Sequence, residues 1–267
     1  MKQPLIMGVI NVTPDSFSDG GRFTTAEDAV REGLQMLNDG ADILDVGGES
    51  TRPNAAPVSE EEELARVLEV VRKLAKHGAT VSIDTYKPEV AQRCIEAGAS
   101  IVNDVTGLRN PVMRRVIASA DVKVCIMHML GSPQTMQSEP TYANVLAEVR
   151  DYLAAHAALA INAGIKKENI WIDPGIGFGK TTEHNLSLLK GLPELVEVGY
   201  PVLIGVSRKS FLGRIIGSES LAAPLHEREA ATIAAQAYAQ LKGASIIRTH
   251  RVKEAVQAAK LIARLSD

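Results

Sequence analysis

The sequence has few cysteines. Cys94 and Cys125 are the two in 267 residues, without CxxC spacing or a reactive-cysteine signature, so both read as reduced packing residues rather than as a disulfide frame. There is no basic excess either. The 29 Lys and Arg stand against 32 Asp and Glu, a formal net charge of -3, which gives no electrostatic footprint for nucleic acid or an anionic membrane surface. No run reaches the roughly 18 apolar residues of a membrane span. The early apolar stretch Leu5 to Ile10 lacks the charged flank and length of a secretory signal, so the expected location is cytoplasmic. No linker, low-complexity tract, charge block or short-period repeat marks a boundary, and one domain over residues 1–267 is expected. His128 and His250 lie far apart without HExxH spacing or neighbouring cysteines, which argues against zinc, and His226 reads as surface.

What is present is an ordinary globular composition, 45% hydrophobic and 23% charged, able to bury a large core. Short Ile- and Val-rich runs alternate with longer amphipathic patterns, the mark of βα units feeding a parallel sheet. Eight runs qualify: Leu5 to Ile10, Asp42 to Val46, Thr80 to Asp84, Ser100 to Asn103, Lys123 to Met127, Ile170 to Asp173, Pro201 to Val206 and Ser245 to Arg248. One intervening helix opens with the capping-box pair Ser59 and Glu62, places Leu64, Val67, Leu68, Val71 and Leu74 on one face, and stops at Gly78. Another starts at Pro88 and ends at Gly98. Eight evenly spaced units favour a closed TIM (β/α)8 barrel over a doubly wound open sheet.

Nearly every run ends in polar residues: Asn11 to Asp15, Gly47 to Pro53, Asp84-Thr85, Asn103-Asp104, His128, Asp173-Pro174-Gly175, Ser207 to Ser210 and Arg248-Thr249-His250. Any one cluster could simply cap the next helix or turn. In a barrel, however, all eight strand ends meet at one mouth. Capping has no need of Lys209 and Arg248 beside Asp84 and Asp173, and a site is expected there. Pro174 to Thr181 is glycine-rich but departs from both the Walker A and the dinucleotide templates, and is expected to be a flexible turn allowing close backbone approach to a ligand.

Met7 to Gly21 and Asp45 to Pro53 resemble the two signatures of the dihydropteroate synthase family; Asp173 to Lys180, Ser207 to Ser210 and Arg248 to His250 resemble its later loops, in the same order. The resemblance implies a transferase of folate biosynthesis. In its reaction p-aminobenzoate displaces pyrophosphate from 6-hydroxymethyl-7,8-dihydropterin diphosphate, giving 7,8-dihydropteroate. It also implies site roles. Asp173 and Asn103 would read the pterin edge, with Lys209 against the ring and Asp84 beside them, where its charge could stabilise a pterin cation. Arg248, His250, Thr51 and Arg52 would hold the diphosphate, and Asn11 would be the protein ligand of Mg2+. Thr51, Arg52, Pro53 and Ser210 would line the p-aminobenzoate pocket. Sulfonamides, which resemble p-aminobenzoate, are expected to compete there.

The two early loops, carrying Asp15, Phe17 and Arg52, are expected to close over bound substrates. Asn54, Tyr86 and Arg251 depart from the family's usual residues. A pterin-binding methyltransferase barrel would have no use for the Thr-Arg-Pro and Arg-Thr-His strings, and a non-catalytic homologue would not keep Asn11, Asp84, Lys209 and Arg248 together. Alanine-rich helices over Glu227 to Leu241 and Val252 to Leu265 carry more apolar positions than one barrel face requires, so a homodimer is expected.

Overall fold

The computed structural model describes residues 3–13, 25–51, 55–132, 135–137 and 139–266. Arg52, Pro53 and Asn54, together with Asp15 and Phe17, lie outside the described residues. Eight parallel strands follow one another along the chain: β1 (Leu5–Asn11), β2 (Ile43–Gly47), β3 (Val81–Asp84), β4 (Ile101–Asp104), β5 (Lys123–Met127), β6 (Ile170–Asp173), β7 (Leu203–Gly205) and β8 (Ile246–Thr249). Their order in the sheet is β6-β5-β4-β3-β2-β1-β8-β7. A parallel bridge between Ile172 and Val202, with the Ile172 N–H donating to Pro201 O at 3.0 Å, brings β6 to β7 and nearly closes the barrel. The expected barrel is therefore the observed one.

Helices cover the outside: α1 (Ala26–Asn38), α2 (Glu60–Lys76), α3 (Pro88–Glu96), α4 (Pro111–Ala120), α5 (Val145–Asn162), α6 (Thr182–Lys190), α7 (Leu192–Val196), α8 (Ser210–Ile216), α9 (Glu229–Leu241) and α10 (Val252–Leu265). The Ser59 side chain accepts from the Glu62 N–H at 3.2 Å to start α2, but the Glu62 carboxylate turns to Arg66. The reciprocal capping box is at α6, between Thr181 and His184. α9 begins at Glu229 rather than Glu227, because residues Leu225–Arg228 form a tighter 3-10 turn after Pro224.

The period-two alternation of each strand divides the core in two. Outward-facing residues such as Ile10, Leu44, Ile83, Val102, Ile126 and Ile172 pack beneath the helices. Inward-facing Met7, Ile43, Ile101, Cys125, Trp171, Leu203 and Ile246 form a separate apolar plug near the strand starts. Both cysteines are free and buried. Among the described residues no helix is long and apolar enough to cross a membrane.

Candidate functional site

Two residues beyond the plug, about 6.6 Å along each strand, the barrel interior turns polar. Ile43 is followed on the same face by Asp45, Ile101 by Asn103, Trp171 by Asp173 and Ile246 by Arg248. The register aligns them, since Asp84 pairs with Asn103 across β3 and β4, and Gly47 with Asp84 across β2 and β3.

Arg248 is the centre of the group. Its Nε donates to Asp45 Oδ2 at 2.6 Å and its terminal nitrogen donates to Asp84 Oδ2 at 2.7 Å. The same Asp45 oxygen accepts from Asn103 Nδ2 at 3.1 Å. Asp45 is fully buried, and the Asp84 side chain is 12% exposed. Burial, with Asp45, Glu63 and Asp104 nearby, raises the Asp84 carboxyl to about 7 against the opposing pull of Arg248. Arg248 itself is held even more firmly protonated than usual, the two carboxylates outweighing its burial. Three buried oxygens, Asp45 Oδ1, Asp84 Oδ1 and Asn103 Oδ1, have no hydrogen-bond partner among the described residues. Buried acceptors left this way are costly and point to a ligand.

Asp173 ends β6, where its Oδ1 accepts from the Gly175 N–H at 2.7 Å and burial raises its pKa. Lys209 approaches from the loop after β7. Its ammonium donates to the Ile176 carbonyl, stands 4.4 Å from the centre of the Phe178 ring, and is lowered by burial to about 8. The glycine loop is less free than expected. Gly177 has φ +82, and a Cβ there would come within 2.9 Å of Lys209 Cδ; at Gly175, φ +65, one would come within 1.9 Å of His128 O. The loop is pinned beneath by Lys180, buried and 2.9 Å from both His128 Nδ1 and Phe178 O. Burial lowers Lys180 to about 7 and His128 to about 3.

The remaining expected site residues are less tightly gathered. Asn11 ends β1 opposite Gly47. His250 is half-buried, with Nδ1 2.9 Å from Ser207 Oγ. Thr51 is half-buried just past β2, and Ser210 is exposed at the first position of α8. Sequence reading missed Asp45, whose signal was an acid inside the otherwise apolar Ile43–Gly47 strand on the inward-facing register. It also missed the Lys180–His128 pair, which no local pattern announces. A third omission was Lys87, which joins Glu63 at 2.6 Å, Glu49 and the Val58 carbonyl, while Tyr86 Oη donates to Glu49 at 2.8 Å. That cluster ties the loop after β2 to the start of α3.

The family of pterin binding enzymes matches residues 7–250. The dihydropteroate synthase of Escherichia coli K12 is 46% identical over 263 residues, covering 98% of this chain and 92% of that protein. The chain belongs to the dihydropteroate synthase family. Its barrel superposes on the Yersinia pestis dihydropteroate synthase solved in a sulfonamide drug complex with a TM-score of 0.94 at 40% identity, covering 99% of this chain and 94% of that one. The Xanthomonas albilineans dihydropteroate synthase in complex with 7,8-dihydropteroate gives 0.88 at 42%, with the same coverage of 99% and 94%. Like other dihydropteroate synthases, the chain is a transferase of folate biosynthesis acting on small molecules.

Proposed function

We propose that the polar mouth of this barrel, within one functional unit spanning residues 1–267, joins 6-hydroxymethyl-7,8-dihydropterin diphosphate to p-aminobenzoate through the residues above. The observation that carries the assignment is the meeting of Asn103, Asp84, Asp173, Lys209 and Arg248 at neighbouring strand ends, directly above an apolar floor. A pterin edge offers several N–H donors, and Asp173 and Asn103 supply carboxylate and amide acceptors for it. Lys209, held over Phe178, packs against the ring. The amine nitrogen attacks the methylene carbon as the C–O bond to the diphosphate breaks. The pterin gains positive character, which Asp84 stabilises, while Arg248 and His250, with Thr51 and Arg52, take up charge on the departing pyrophosphate. An aryl amine is a neutral nucleophile before attack; once the C–N bond has formed, its nitrogen carries a positive charge and gives up one proton to water or the departing pyrophosphate, so no protein base is required. Thr51, Arg52, Pro53 and Ser210 line the p-aminobenzoate pocket.

The residues present fit Mg2+. A Cβ at Gly47 would lie 3.8 Å from Asp84 Oδ2 and 3.9 Å from Asn11 Oδ1, so oxygen donors flank the bare face of that glycine. No cluster of three acidic, His or Cys ligands occurs among the described residues, and Mg2+ commonly relies on substrate phosphates and water for most of its shell. Asn11 would hold it, and the ion would neutralise charge on the diphosphate.

Exposed Tyr238 and Leu241 on α9, with Leu261 and Leu265 on α10, support a homodimer through these helices. Light scattering should give twice the chain mass, and a monomer at micromolar concentration would exclude the dimer. For the chemistry, pyrophosphate release should require both p-aminobenzoate and Mg2+ and fall at least about a hundredfold in Asp84→Asn. Tight pterin binding without release would overturn the assignment.

A further inference from the structure

Asp45 touches Arg248 and Asn103 through a single oxygen, and this shared contact fixes more than position. A carboxylate paired with a guanidinium offers only lone pairs. The Asn103 side chain therefore has to turn its NH2 toward Asp45. Its carbonyl oxygen then faces the barrel interior, where it is buried without a partner. The amide could present either end to a ligand if it were free to rotate; beside Asp45 its carbonyl oxygen is the end turned away from the carboxylate. The neighbouring Asp84 Oδ1 and Asp45 Oδ1 are likewise buried without partners among the described residues, while Arg248 donates to the other oxygen of each carboxylate.

We propose that Asp45 is a positioning residue that locks Asn103 as a hydrogen-bond acceptor, and that the pocket thereby selects the dihydro state of the pterin over the oxidised ring. The inference rests on the pterin reading above. A 7,8-dihydropterin carries a hydrogen on N8 that the fully oxidised pterin lacks, where the same nitrogen shows a lone pair. In this proposal N8 lies against Asn103, whose carbonyl oxygen meets the first as a hydrogen bond and the second as two facing lone pairs. Leaving a buried acceptor unpaired is the kind of mismatch that discriminates strongly between ligands of equal size.

The test measures dissociation constants of the dihydropterin and oxidised pterin diphosphates, without p-aminobenzoate, for a set of variants that melt cooperatively. The wild type should favour the dihydro ligand by about tenfold or more. Asp45→Asn keeps a carbonyl oxygen for Arg248 and Asn103 to share, and should retain the preference to within about threefold. Asp45→Leu removes the acceptor and should bring the preference to about twofold or less. Asp45→Ser, too short to reach Asn103 and small enough to admit water, repeats that loss in a less disturbed interior and serves if the leucine variant does not fold. Asn103→Leu should abolish the preference alone, and adding Asp45→Ser to it should change nothing further. A folded Asp45→Ser protein with the wild-type preference would overturn the proposal. So would Asp45→Asn losing the preference as fully as Asp45→Ser, since charge and not orientation would then be responsible. A wild type that binds neither ligand and releases no pyrophosphate would instead refute the functional reading.

Discussion

The two ends of the barrel interior are built on the same strands by the same alternation and obey opposite rules. At the strand starts Met7, Ile43, Ile101, Cys125, Trp171, Leu203 and Ile246 fill the space with apolar atoms that need nothing but each other. One inward-facing position later, Asp45, Asn103, Asp173 and Arg248 occupy the same faces, and with Asp84 beside them three oxygens are left without partners among the described residues. The plug is complete in itself, whereas the mouth is complete only with a ligand. The difference teaches where this fold stores stability and where it holds a polar surface ready for chemistry.

The comparison would be broken most forcefully by Arg248→Met. It leaves Asp45 and Asp84 buried without their cation, so a loss of about 3–5 kcal/mol in urea denaturation is expected. Pyrophosphate release should fall at least about a hundredfold as well. If stability survived while activity fell, the carboxylates would be compensated by something other than Arg248. In the plug, Leu203→Ala should cost about 2–5 kcal/mol through lost contacts and a cavity, with pyrophosphate release per folded molecule unchanged. A drop in release would mean that the floor also shapes the site.

The pH dependence sharpens the contrast, because the mouth holds groups moved toward neutrality. Asp84 is raised to about 7 and must be ionised to stabilise a pterin cation, so kcat/KM should climb as pH rises through that value. Lys209 is lowered to about 8 and acts as a cation, so the same quantity should fall beyond it, giving a narrow bell. Asp84→Asn should remove the acid limb, and a flat profile through both values would show that neither charge matters. The smallest effect belongs to Ile43→Val, expected to cost about 0.5–1.5 kcal/mol and nothing in rate.

Much of this was legible before any coordinates. The eight strand runs were found to within a residue or two, because a fully covered parallel strand reads as a continuous apolar run. The gathering of Asp84, Asn103, Asp173 and Arg248 at one mouth followed from barrel geometry. The start of α9 was misplaced by two residues, since a 3-10 turn and a first helical turn look alike in sequence. The glycine loop was expected to flex, and its close fit against Lys209 and His128 depends on side chains far from it in the chain.

The sequence by itself determined the alternation of strand and helix, the polarity change along each strand and the family, since all are written in local periodicity and contiguous motifs. Only the tertiary structure decided that Asp45, not predicted to have a role, would share one oxygen between Arg248 and Asn103. Those partners lie 203 and 58 residues away. Which charge meets which inside a barrel is set by register and closure, and no stretch of local sequence carries that information.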